Sequence, residues 1–270
     1  MARSHSLPHA ILSAIVVLVI AWPVAANALT AREIMQQVND RDDGDHGIFD
    51  LRMTLIDKSG HRRVREIRSF TRDQGKDEQR ILFFRSPADV RNTGFLTFDY
   101  DEAGRDDDQW LYLPALSKTK RIASSDKSGS FMGSDLNYSD MTRRDLDQYD
   151  FKLLKEPKVK GHKTWLIESK PRTREERDSS GYKKELLFVR QDNFMVIRAV
   201  HWTSEGGRLK YQEVKELKRV DGIWVATKTQ VATKKAKKTL HKTLLEFYNV
   251  RFNQDLPEDT WSQRRLEQGL

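Results

Sequence analysis

The chain has 270 residues and a formal net charge of +8, with 48 Lys and Arg against 40 Asp and Glu, and it contains no cysteine. The missing cysteine excludes disulfides, zinc–thiolate sites and thiol nucleophiles together, so an exported form must be held by its core alone. The length allows one large β domain or two small ones; with no linker tract, repeat or composition break, a single domain is expected over 29–270.

The first 28 residues read as a secretory signal peptide. Arg3 supplies a thin positive start, Ala10 to Trp22 an apolar stretch too short to span a bilayer, and Ala26-Asn27-Ala28 a small-x-small cleavage pattern near Ala28. The expected location of the mature chain is the periplasm, in soluble form. A helix then starts: Thr30 and Glu33 have capping-box spacing, Leu29 and Ile34 stand at the staple positions, and Ile34, Met35 and Val38 form one apolar stripe. One or two turns cannot stabilise such a stripe alone, so a concave sheet face is its natural partner.

Period-2 segments follow. Phe49, Leu51, Met53 and Leu55 face one way and Asp50, Arg52 and Thr54 the other. Lys58-Ser59-Gly60 turns the chain into a charged strand, 63–71; 81–84 is apolar on both sides, and 95–100 and 110–113 continue a meander until Pro114 ends the pairing. After a basic strand (Lys118, Lys120, Arg121), a Gly/Ser-rich loop over 124–134 carries Phe131 and Met132, large apolar groups that need either the protein's own core or a ligand over them. A helix is expected from Ser139, with Met141 and Leu146 inward. Strands at 151–154, 165–168, 186–189, 194–202, 209–217, 223–231 and 240–252 complete the pattern, and Pro257 opens a short last helix that turns Trp261 and Leu266 inward. Turns every 8 to 14 residues and few helices predict a mainly β fold, a curved antiparallel sheet or open barrel with the helices at its mouth.

Catalytic patterns are weak throughout. No nucleophile elbow, paired-histidine zinc motif or phosphate loop is present. His46, His61, His162, His201 and His241 are scattered, and His201 beside Trp202 reads as a satisfied strand residue. The segment from Asp99 departs from a calcium loop, with Trp110 where the closing glutamate would stand. Asp135, Asp140, Asp145 and Asp147 lack any sign of a paired-carboxylate geometry. The expectation is no enzyme, no cofactor and no metal. Lys234, Lys235, Lys237 and Lys238 form the densest basic cluster, either a solvated hairpin edge or a contact for anionic headgroups or an acidic transporter; nucleic acid is not an expected partner.

W-L-Y-L-P-A with K-T-K-R-I, then F-M-G-S-D-L-N-Y-S-D-M and L-D-Q-Y, together with F-R-S-P-A-D-V-R-N-T-G-F-L (84–96) and L-P-E-D-T-W-S-Q-R-R-L-E (256–267), resemble the outer-membrane lipoprotein-sorting family, relatives of the periplasmic carrier LolA. The resemblance implies an open (half) antiparallel β-barrel with a helical lid. It also implies a carrier that takes acyl chains of a lipoprotein or lipid in the concave face and moves them toward the outer membrane. Many members are associated with RND-type exporters, so an inner-membrane RND-type transporter is an implied partner, and a non-carrying adaptor subunit of such an exporter is the alternative. The candidate cavity and lid residues are Phe83, Phe95, Trp110, Tyr112, Phe131, Met132, Tyr138 and Met141.

Overall fold

A computed structural model describes residues 28–270; the expected leader, up to residue 27, lies outside the described residues. Helix α1 (Ala31–Asn39) begins at Thr30, whose hydroxyl accepts from the Glu33 amide while the Glu33 carboxylate accepts from the Thr30 amide, as the capping-box spacing predicts. The strands of the first half are β1 (His46–Asp57), β2 (Arg62–Gln74), β3 (Asp77–Ser86), β4 (Gly94–Asp99), β5 (Asp108–Leu113) and β6 (Lys118–Arg121). The second half has β7 (Tyr149–Lys155), the two-residue β8 (Lys158–Val159), β9 (His162–Pro171), helix α2 (Arg174–Ser180), β10 (Tyr182–Arg190), β11 (Val196–Thr203), β12 (Arg208–Val220), β13 (Ile223–Lys235), β14 (Lys238–Phe252) and helix α3 (Gln263–Gln268).

All strands belong to one antiparallel sheet in the order β6-β5-β4-β3-β2-β1-β14-β13-β12-β11-β10-β9-β7, with β8 paired to β9. The first and last strands meet at the centre, where Leu51 lies opposite Phe247 and Met53 opposite Leu245. The sheet does not close: β6 and β7 are its two free edges. The chain between them, residues 122–148, leaves one edge, crosses the open concave side and enters the other edge. Among the described residues no helix is long and apolar enough to cross a membrane.

Alternation along each strand sorts side chains to the two faces. On the convex face Ile81, Phe83 and Leu96 pack under Trp261 and Leu266 of the C-terminal turn and α3, the inward packing expected of those two residues. Gly94 is required there: a β-carbon on it would stand 2.6 Å from Leu266 Cδ1. The concave face carries two apolar clusters. One is built from β1–β5 and β14 (Leu51, Met53, Ile67, Leu82, Phe84, Phe95, Leu245) around Phe131; the other sits on β9–β11 (Ile167, Leu187, Val189, Ala199) beneath Ala31, Ile34 and Met35 of α1.

One expectation needs correction, and one element went unread. The helix from Ser139 is absent; 131–133, 138–141 and 146–148 are separate 3-10 turns. The second starts from Asn137, whose amide donates to Asp140 Oδ2 at 2.7 Å, and its Asn, Ser and Asp side chains are spent on the sheet and on backbone, which competes with helix formation. Helix α2 was not foreseen, because its sequence REERDSS has no apolar period.

Candidate functional site

Between the concave face, α1 and the 122–148 crossover lies a hollow of about 1140 Å³, at the upper limit of ordinary small-molecule pockets. Its apolar wall is formed by Phe49, Leu51, Met53, Ile67 and Leu82 from β1–β3, Leu245 and Phe247 from β14, and Met35 and Val38 from α1, with Phe131 and Met141 descending from the crossover. Phe49 and Phe247 face each other across the central strand pair, ring centres 5.4 Å apart.

The crossover is fastened by polar contacts. The Asp135 carboxylate accepts from Thr233 and Thr243 and contacts His241 Nδ1 at 2.7 Å, while the Asp135 amide donates to Thr243 Oγ1 at 2.9 Å. Asn137 Oδ1 accepts from the buried Lys210 ammonium at 2.7 Å, and Tyr182 donates to Asp140 at 2.8 Å. Burial pulls the Lys210 pKa down, and Asp140 and Asp135 oppose that pull. The Asn137 amide group and the Ser139 hydroxyl both donate to the Ser180 carbonyl. Next to it Gly181 has φ +78°, and a β-carbon there would fall 2.8 Å from Asn137 Nδ2. Arg65 donates to the Met132 carbonyl and Gln109 to that of Tyr138.

Below, Glu185 is fully buried between Arg144 of the crossover at 2.6 Å and His201 Nδ1 at 2.7 Å. Burial alone would raise its carboxyl; Arg144 and then His201 outweigh it and hold the pKa down at about 2. At the end of the hollow near the β4–β5 turn, Asp99 accepts from the Arg143 amide at 2.5 Å. Burial and then Asp107 push the Asp99 carboxyl up to about 6, against Arg143. Among the described residues no group of three or more His, Asp or Glu is placed to hold a metal ion.

The sequence candidates divide by strand parity. Phe131 is 1% exposed, packed edge-on against Phe95 (5.1 Å) and Tyr138 (5.6 Å) and near Phe84; Met132, at φ 50°, and Met141 join the same concave cluster. The cover over Phe131 is therefore the protein's own core. Phe131 and Met141 line the hollow, Phe95 lies beneath Phe131, and Tyr138 faces a smaller cleft with Leu111 and Ile122. Phe83, Trp110 and Tyr112 are corrected out of the lining: each is one residue out of phase with the concave set and packs on the convex face under α3. Sequence reasoning missed Phe247 as lining, although the face shared by Phe49, Leu51 and Met53 was legible, and missed the Asp135 and Lys210 anchors, whose partners are about 100 and 73 residues away.

A family model described only as an uncharacterized protein matches residues 76–268. A DUF1329 family protein from Desulfovibrio piger is 27% identical, with TM-score 0.79 over 87% of this chain and 97% of its own. A putative outer membrane lipoprotein-sorting protein domain from Vibrio parahaemolyticus is 29% identical, with TM-score 0.78 over 88% of this chain and 98% of its own. A LolA superfamily protein from Nitrosomonas europaea shares the fold at 19% identity and TM-score 0.66, over 88% and 100% of the two chains. No curated protein matches.

Proposed function

We infer the function from one premise: this chain belongs to the DUF1329 family, within the LolA-like outer-membrane lipoprotein-sorting proteins. The mature chain is a periplasmic, non-catalytic, single-domain carrier that holds the acyl chains of a lipid or lipoprotein in the hollow. The observation that carries this proposal is the apolar wall of an unclosed sheet, covered by a crossover that contributes Phe131 and Met141 to the same space.

Each methylene buried contributes roughly 0.8 kcal/mol, so two long chains in a rigid apolar cavity would be held too tightly to release. Here a guest entering the cluster competes with Phe131, whose own burial is lost as the guest's is gained. Exchange of one apolar surface for another lowers the net affinity into a range where loading and unloading both occur. The polar anchors of Asp135 and Asn137 give the crossover a defined place to return to.

The test is binding of a fluorescent fatty acyl probe to the mature protein. Saturable binding, displaced by unlabelled fatty acid, is expected. Phe247→Asp places a carboxylate in the wall at a half-buried position, and binding should weaken at least about tenfold, since desolvating a charge opposes an apolar guest, with the melting transition retained. Probe binding untouched by Phe247→Asp, or native mass spectra of periplasmic protein that carry no copurified lipid, would overturn the carrier.

A further inference from the structure

We propose that the end of the sheet formed by the β1–β2, β13–β14 and β11–β12 turns is a docking surface for an anionic phospholipid bilayer. In sequence the lysines at 234–238 are one cluster among solvated hairpins; the sheet order makes them the centre of a larger one. Register places Asp57 opposite His241, Lys235 opposite Lys238 and Arg208 opposite Lys235, so the three turns lie side by side at one end of adjoining strands. They bring together Lys58, Arg62, Arg63, Lys235, Lys237 and Lys238, all exposed.

These six cations are free. Among the described residues none of them has a carboxylate partner within 4 Å; the ion pair in these turns joins Arg208 to Glu205 at 3.8 Å. The other acidic group in the turns, Asp57, accepts from the Ser59 hydroxyl and the Ser59 and His61 amides, which hold its pKa down. Val64, beside Arg63, is 43% exposed, an apolar group between cations as an interfacial surface requires. A protein partner of defined shape would be met by directional pairs; a cluster of exposed, unpaired cations on adjoining hairpin tips matches a laterally averaged sheet of negative headgroups instead.

At the opposite end of the sheet the β2–β3 and β4–β5 turns are rich in carboxylates, with the Asp101 amide donating to Asp77 across them. The six unpaired cations attract an anionic surface to the basic end. That end is also where the crossover is fastened: Asp135 is bound to Thr233 and Thr243, on the two strands of the lysine hairpin. Docking thus sets the anchored part of the crossover near the bilayer. The surface is proposed independently of cargo.

The experiment is cosedimentation of the mature protein with vesicles of phosphatidylcholine alone or mixed with phosphatidylglycerol. Binding is expected to the mixed vesicles only, falling steeply with ionic strength. The triple variant Lys235→Glu, Lys237→Glu, Lys238→Glu, and separately Lys58→Glu with Arg62→Glu on the neighbouring hairpin, should each reduce it at least about tenfold. Asp101→Lys with Glu102→Lys, at the far end, should not reduce it. Circular dichroism establishes that each variant is folded. Equal binding to neutral vesicles, binding insensitive to salt, or hairpin variants that sediment like the wild type would overturn the proposal. So would capture on an acidic protein surface without any vesicle binding. Loss of acyl-probe binding with vesicle binding intact would defeat the carrier function and leave this surface standing.

Discussion

Two covers lie over the concave face, and they are held by different physics. Helix α1 is held by apolar burial: Ala31, Ile34 and Met35 are nearly solvent-free against Ile167, Leu187, Val189 and Ala199. The 122–148 crossover buries Phe131 with Ile122 and Leu146, and it is also fixed by directional bonds from Asp135, Asn137, Asp140 and Arg144 to Thr233, Thr243, Tyr182, Lys210 and Glu185. Apolar burial is non-directional and tolerates small shifts; a buried polar anchor is either made or costly to leave unmade. The first cover therefore depends on continuous apolar contact, and the second adds a few discrete polar anchors to its apolar contact. They also touch: Arg32 donates to the Leu146 carbonyl and Asn39 to that of Arg144, so the two covers meet along one seam.

The largest effect tests the wall. Ile34→Asp would put an unpaired carboxylate under α1, with an expected loss of about 3 to 5 kcal/mol and a correspondingly lower melting temperature. The loss should be insensitive to salt, because nothing ionic is being broken. A loss below about 1 kcal/mol would mean that α1 lifts off at little cost, and the contrast between the covers would vanish.

A smaller effect tests the polar anchors. Asp135→Ala strands two threonine hydroxyls and a histidine on the concave face, at a cost of about 2 kcal/mol. Hydrogen exchange should accelerate across 131–137 while α1 keeps its protection, since sub-global opening follows local stability. Acyl-probe association should speed up. Uniform acceleration in both covers would show one cooperative unit.

Much of this was legible beforehand, and the division follows sequence distance. The strands and α1 were readable because their signals are local: alternation in 49–55, and Thr30 with Glu33 for the cap. Even α2 carried a local signal in Thr173, whose hydroxyl accepts from the Glu176 amide, with Gly181 at its end. The crossover misled because an Asn- and Asp-rich segment reads as a helix start when the groups that claim those side chains, Lys210 and Tyr182, lie on strands far along the chain. The convex placement of Phe83, Trp110 and Tyr112 turned on parity. A strand that is apolar on both faces, as at Ile81 to Phe84, does not reveal which face is hollow until the C-terminal helix is seen to cover one.

The smallest effect separates the two places where the crossover carries charge. Asp99 is 5% exposed, and its carboxyl sits at about 6 against an ordinary 3.8. The folded state therefore binds this proton more tightly than the unfolded chain does, and stability rises as pH falls from 7 toward 5. With about 1.4 kcal/mol per pKa unit, the gain over that interval is about 1 kcal/mol. Asp107, raised by burial in the same way, adds in the same direction. Glu185 has the opposite sign: held at about 2 against 4.5, it contributes stability that is fully present above 4.5 and is lost as pH falls below it. The two opposed slopes place the stability maximum near pH 5, measured as the urea midpoint across pH 3.5 to 7.5. Asp99→Asn should reduce the rise between pH 7 and 5, which Asp73, also pushed up to about 6 by burial and then Asp43, shares, and leave the acid limb in place. Glu185→Gln should reduce the acid limb and leave the rise. If Asp99→Asn leaves the neutral limb unchanged, the carboxyl is already relaxed by Arg143, and the crossover is held at that end by an ordinary ion pair.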